Sequence, residues 1–290
     1  MLRLGDTSIL IAPQHGGAIL GWMDGGMPVL RRPSPEAVTL GDSHAMACFP
    51  MLPYCNRVAN AKFEWNGRTY VLNRNFGDHP HAIHGIGWQR SWTVEKVSTT
   101  EIILCLGYHP KVQGQDRDWP FAFDARLTYG RLNNGIAITL QVVNRHDAAA
   151  PLGIGLHPWF PTAGTPRLRF SAQGVWINDA THLPRDHSDV PAAWSHETLR
   201  PVSCVGLDNC FTGWDGRAEI NAGPASLQIQ ADPVFGNLQV FTPPGAGFFC
   251  VEPVSHIPDA INRPGLGHGQ GMAAVPPQGS LSGSITLSRV

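Results

Sequence analysis

At 290 residues, 42% hydrophobic and only 15% charged, the chain is long enough to bury a sizeable core without staples. Its 21 basic and 22 acidic residues leave a net charge of −1, which excludes the basic excess that nucleic acid or an anionic membrane demands. No run approaches 18 apolar residues, and an N-terminus holding Arg3 and Asp6 has no signal-type apolar stretch, so a cytoplasmic protein without a membrane span is expected.

In chain order, Thr7–Ala12 is a short β-type run ended by Pro13, and Ser34-Pro35 can cap and open one short helical turn. Phe63–Leu72 reads as a hairpin closed by Asn66-Gly67. Ser91–Val97 and Glu101–Leu106 follow as strands, then Phe121–Tyr129 and Ile136–Val143 flank a second hairpin turn at Asn133-Asn134-Gly135. Pro151–Ile154 reads as the end of a buried strand, leaving His157 just beyond it. Further strand runs are Arg167–Phe170, Ser226–Ile229, Asn237–Thr242, Gly247–Val251 and Leu281–Leu287, the last preceded by a Pro276–Gly279 loop. The 32 glycines and 25 prolines punctuate these runs, and helical periodicity over 11 or more residues is hard to find. Short strands separated by turn signals indicate an all-β sandwich or barrel, and no linker or charge block divides residues 1–290, so one domain is expected.

Several polar residues interrupt apolar runs. His157 lies in Gly155-Leu156-His157-Pro158-Trp159-Phe160, where Pro158 constrains it to extended geometry and two aromatics flank a ring that titrates near neutrality. It suits either proton transfer on a small polar ring or a structural hydrogen bond. Glu252, between Val251 and Pro253, reads as a carboxylate at the end of a buried apolar strand, which fits a general base or a structural ion pair. Asn56-Arg57 offers a planar fork for a hydroxyl or carboxylate, or a packed rim arginine. Asp208-Asn209 offers acceptors for sugar hydroxyls, or an Asx turn. His79-Pro80-His81-Ala82-Ile83-His84 holds three histidines, but Pro80 disturbs ligand geometry, so no metal is expected and His84 is the preferred ligand contact. Gly265–Gly269 lacks the strand-to-helix setting of a nucleotide loop. The six cysteines, Cys48, Cys55, Cys105, Cys204, Cys210 and Cys250, form no C-x-x-C and mostly sit among apolar residues, so reduced buried thiols are expected.

Taken in order, these segments resemble the aldose 1-epimerase (galactose mutarotase-like) family. The resemblance is carried by Phe49–Val58, Ile83-His84-Gly85 with Trp88 and Trp92, Trp119-Pro120-Phe121, Gly155–Phe160, Asp208–Phe211, Leu238–Pro243 and Cys250–Pro253, leading to Asp259–Asn262. It implies a large antiparallel β-sandwich with a cleft across one sheet, and anomer interconversion of a free aldose without cofactor. It further implies Glu252 as general base, His157 as general acid, and Arg57, His84 and Asp208 as substrate contacts, with Asn56 and Trp159 beside them.

Two departures stand out. Trp159 occupies the place of the family's usual tyrosine, and the segment after Glu252 is one residue longer than in the better-known galactose enzymes. The expected mechanism has a sugar stacked on Trp159 or Phe241, an ionised Glu252 taking the O1 proton, and a protonated His157 serving the ring oxygen. The expected partner is a monosaccharide, with the protein a monomer or homodimer. A hexose-6-phosphate epimerase would need basic residues near the sugar, for which Arg74, Arg90 and Arg117 are candidates. A non-catalytic sugar-binding protein would not need His157 and Glu252 together.

Overall fold

The computed structural model describes residues 1–5, 7–24, 26–110, 117–162, 164–202, 206–222, 225–263, 265–267 and 269–290. Cys204 and His268 lie outside the described residues. Two large antiparallel sheets dominate. The first has ten strands in the order Leu2–Arg3, Leu10–Ala12, Ala18–Gly21, Cys48–Met51, Gly155–Pro161, Phe248–Val254, Asn237–Phe241, Asp208–Thr212, Gly174–Asn178 and Pro184–Ser188. The second has nine, in the order Thr93–Val97, Glu101–Tyr108, Phe123–Leu132, Gly135–Asn144, Ser280–Arg289, Ala225–Ala231, Arg217–Ala222, Arg167–Phe170 and Arg200–Pro201.

Alternation along the strands separates two apolar clusters. Leu156, Phe160, Leu238, Val240, Phe249 and Val251 of the first sheet join Leu104, Leu127, Ile138, Leu140, Ile229 and Leu287 of the second in the main core. Phe49, Met51, Trp159, Cys210, Cys250 and Val254 belong to a separate cluster. Since neighbouring side chains on a strand point to opposite faces, this second cluster marks the outer face of the first sheet.

Local chemistry accounts for the turns. Asn66 and Gly67 take φ of 50° and 73° between Lys62–Trp65 and Arg68–Val71, the left-handed pair that a two-residue hairpin turn needs. The register Leu132↔Gly135 makes Asn133-Asn134 a second two-residue turn, with Gly135 already in its strand, but neither asparagine takes a positive φ. The short helix Pro35–Leu40 starts where Ser34 accepts the Ala37 N–H at 3.1 Å and ends at Gly41, φ 69°.

Three sequence expectations need correction. Ala150–Leu152 does not run on to His157. It pairs with Ala273–Val275 in a small sheet of its own, and His157 lies inside the next strand, Gly155–Pro161. Pro253 does not end the Glu252 strand, which continues to Val254, because extended backbone suits proline's φ. Asp208-Asn209 opens the strand Asp208–Thr212 instead of forming an Asx turn.

Candidate functional site

The outer face of the first sheet brings the polar residues together. The register Gly155↔Val254 and Trp159↔Cys250 sets His157 across from Glu252, and Gln239 pairs directly with Glu252 on the other side. His157 also pairs with Phe49. One row thus reads Phe49, His157, Glu252, Gln239. The row beside it carries Trp159, Cys250, Phe241 and Asp208. His157 Nε2 and Glu252 Oε1 stand 3.4 Å apart, both residues at most 4% exposed. Each is followed by a proline, so two backbone donors are missing from the ladder beside the pair.

The His157 ring is fixed by stacking. Phe49 covers one side at 4.6 Å and 28°, and Trp159 covers the other at 4.6 Å and 22°. The Arg31 guanidinium sits 3.9 Å from the Trp159 ring centroid, a cation–π contact. With His157 stacked against it and Arg31 over it, the indole of Trp159 has no free face for a sugar; Phe241, half-buried and lining the same pocket, does not carry that restriction.

The loops beyond the sheet supply the rest. Asn56 and His84 both hold left-handed backbone, φ 53° and 58°, and clasp each other. The His84 N–H donates to Asn56 O at 2.8 Å, and the Asn56 N–H donates to His84 Nδ1 at 3.2 Å. Neutral His84 therefore carries its hydrogen on Nε2. The next position, at φ 70°, is Gly85, and a Cβ there would lie 2.1 Å from Leu52 O. Asn56 Oδ1 accepts from the Arg57 backbone N–H at 2.9 Å and from Arg57 Nη1 at 3.1 Å, which aims the guanidinium. Arg57 Nη2 then donates to Asp208 Oδ2 at 2.8 Å, and Gln239 Nε2 donates to Asp208 Oδ1 at 2.8 Å. Behind the loop, His256 Nε2 accepts the Cys55 N–H at 3.0 Å, and Gly153 leaves room for that ring, since a Cβ would fall 2.2 Å from it.

His44, Asn56, Arg57, Phe76, His79, Ile83, His84, His157, Trp159, Asp208, Phe241 and Glu252 line one pocket of about 160 Å³. All seven sequence-derived site residues are among them. Asn209 is not: its amide donates to Trp176 O at 2.9 Å. His81 also serves structure, accepting the Asn60 N–H at 3.0 Å. His44, Phe76, His79 and Gln239 were missed as site residues. Gln239 left a signal, a polar residue between Leu238 and Val240, whereas His44 sits in an unpatterned turn.

Burial governs the charges. Desolvation pushes the Glu252 carboxyl well above its ordinary value, and Asp208 adds to this while Arg57 opposes it. Desolvation pushes His157 well below the ordinary imidazole value, helped by His84, His44 and Arg31. His84 is likewise held low, chiefly by burial. The surroundings thus favour a neutral imidazole and a neutral carboxyl, not the imidazolium and carboxylate expected from the sequence. The two descriptions differ only in which partner holds one shared proton. Donor atoms of His157, Cys250 and Glu252 lie within 4.8 Å of one another, but burial pushes the Cys250 thiol up and keeps it a neutral packing group.

Residues 2–284 match the family model described as aldose 1-epimerase. The uncharacterized protein YphB of Escherichia coli K12 is 29% identical over 288 residues, 94% of this chain and 92% of that one. An aldose 1-epimerase of Haemophilus influenzae is 28% identical over 146 residues, 48% of this chain and 39% of that one. Among solved structures, a provisionally named aldose 1-epimerase of Escherichia coli K12 superposes with a TM-score of 0.87 at 26% identity, covering 100% of this chain and 97% of that one. A galactose mutarotase-like protein of Clostridium acetobutylicum superposes with a TM-score of 0.85 at 20% identity, covering 100% and 94%. An outer-face pocket built on two sheet strands and the family match over nearly the whole chain lead to one conclusion: the chain belongs to the aldose 1-epimerase family.

Proposed function

We propose that this protein interconverts the α and β anomers of a neutral free aldose, with Glu252 and His157 as the catalytic residues. The observation that carries the reading is their 3.4 Å contact in a pocket sized for a single small ring, well under the 300–1,000 Å³ of drug-sized sites. O1 and O5 are bonded to the same carbon of a pyranose, so ring opening needs an acid and a base set close together.

The reaction keeps the proton count of the pair constant. In the productive tautomer Glu252 is the carboxylate and His157 the imidazolium. Glu252 takes the O1 proton as the C1–O5 electron pair moves to O5 and the C1=O1 double bond forms. His157 gives its proton to O5. Rotation about C1–C2 in the open aldehyde presents the other face, and the reverse transfers close the ring. A sugar hydroxyl donating to Glu252 stabilises the carboxylate form, which offsets part of its burial penalty. Arg57, held by Asp208 and Asn56, together with the Nε2–H of His84, supplies donors to the sugar oxygens. Phe241 is the stacking surface.

Charge supports a neutral substrate. Arg57, the pocket's arginine, is paired with Asp208. Arg74, Arg90 and Arg117 do not line the pocket, and Arg90 pairs with Asp118. A phosphorylated sugar thus lacks a matching cluster among the described residues.

Polarimetry of freshly dissolved α-anomers of glucose, galactose, xylose and arabinose, with glucose 6-phosphate alongside, tests the reading. The neutral sugars are turned over faster than the phosphate. His157→Ala or Glu252→Gln lowers kcat by about 10²–10⁴-fold, the range for loss of one general catalyst. Near-wild-type rates in either variant would overturn the assignment.

A further inference from the structure

The turn Ser43–Ala45 places one imidazole in the pocket that the reaction above does not use. The His44 ring sits between aromatic neighbours, 4.6 Å from Phe76 and 5.1 Å edge-on to Trp159, with His157 at 6.2 Å. Neither ring nitrogen has a hydrogen-bond partner among the described residues, neither is fully buried, and the residue lines the pocket. The backbone beneath is anchored on both sides. The His44 N–H donates to Asp42 Oδ1 at 3.1 Å, while Arg31 Nη2 donates to His44 O at 3.1 Å and to Met46 O at 3.2 Å. The same arginine covers Trp159, so turn and indole are held as one unit.

Burial, then the Arg31 charge, lower the His44 pKa to about 4, with Asp42 opposing. At neutral pH the ring is uncharged, with one nitrogen donating and the other accepting. That pattern matches a hydroxyl, which also does both, and not an anion.

We propose that His44 is a specificity-determining residue that hydrogen-bonds a hydroxyl of the bound sugar other than the anomeric one. The inference rests on the mutarotase reading. O1 and O5 belong to His157 and Glu252, so a ring centred 6.2 Å from His157 meets a different part of the sugar.

The test is mutarotation kinetics on aldopyranoses that differ by one hydroxyl, for wild type, His44→Phe and His44→Gln. Phenylalanine keeps a ring among Phe76 and Trp159 but removes both nitrogens. For the preferred sugar, His44→Phe raises KM about five- to tenfold, the worth of one neutral hydrogen bond, and changes kcat less than threefold. The preference over the sugar lacking or inverting that hydroxyl shrinks by the same factor. His44→Gln, which restores a donor and an acceptor, recovers part of the loss. If His44→Phe does not fold, His44→Met against His44→Gln makes the same comparison. An active wild type whose His44→Phe variant keeps KM and sugar preference overturns this proposal alone, as does a fall in kcat at unchanged KM. A wild type inactive on every sugar overturns the mutarotase reading and this inference with it.

Discussion

His157 and Glu252 face each other in a setting where burial pushes the carboxyl up and the imidazole down. In the proposed mechanism the active form of the pair carries one proton in total. Acid destroys it by adding a second, which the lowered imidazole resists, and base destroys it by removing the first, which the raised carboxyl resists. The acid limb of kcat/KM therefore lies below pH 6.5, the ordinary imidazole value, and the alkaline limb lies above the ordinary carboxylate range. A pH profile of mutarotation checks this, and an acid limb at pH 6.5 or above would contradict it. At this scale the sequence was partly legible. A histidine and a glutamate inside apolar runs mark themselves, since such positions are costly without a partner or a task. Their partnership was not visible in the residues alone, because 95 positions separate them and strand register joins them. The ordered family resemblance supplied it. Trp159 was legible as a departure, but not that Arg31 would cover it.

At the scale of elements, the hairpin at Asn66-Gly67 was readable because its left-handed turn demands particular residues, and the one at Asn133-Asn134 because asparagine favours turns even without a positive φ. The strands around the site were harder. Gly155–Phe160 and Phe249–Val254 are buried throughout, so no polar alternation shows, and Pro158 and Pro253 imitate strand ends. The loop strands beside them depend on close approach. Gly85 carries the His84 clasp with φ 70° and no room for a Cβ beside Leu52 O. Gly85→Ala should lower unfolding free energy by about 1–3 kcal/mol through strain at a left-handed, crowded position. It should also raise KM through displaced Asn56 and His84. Urea unfolding and steady-state kinetics read the two effects, and unchanged stability would refute the packing account.

For the whole molecule, buried histidines tie stability to pH. His256, 2% exposed, has its pKa lowered by burial to about 4, while Nε2 accepts from Cys55. The folded value lies below the unfolded value of about 6.5, so the unfolded chain takes up the proton first. The contribution is present above pH 6.5 and is lost as pH falls toward 4. Between pH 7 and pH 5 His256 alone accounts for about 2 kcal/mol of lost stability. Urea midpoints at the two pH values should differ in wild type and differ less in His256→Gln; equal differences would remove His256 as the cause. The two-sheet sandwich was implied by short strands and turn signals, but neither the ten-strand and nine-strand division nor the face chosen for the pocket was readable. Both follow from long-range register.

The two side chains proposed as catalytic stand on adjacent strands of the larger sheet, whereas Arg57, His44 and His84 come from connections above it. Strand spacing is a constant of β structure, so the distance between acid and base is inherited from the backbone and not from any loop. Chemistry and recognition are thereby separable in design. A library confined to residues 43–46 and 79–84 would alter which sugar is accepted and leave the strand spacing beneath the pair unchanged.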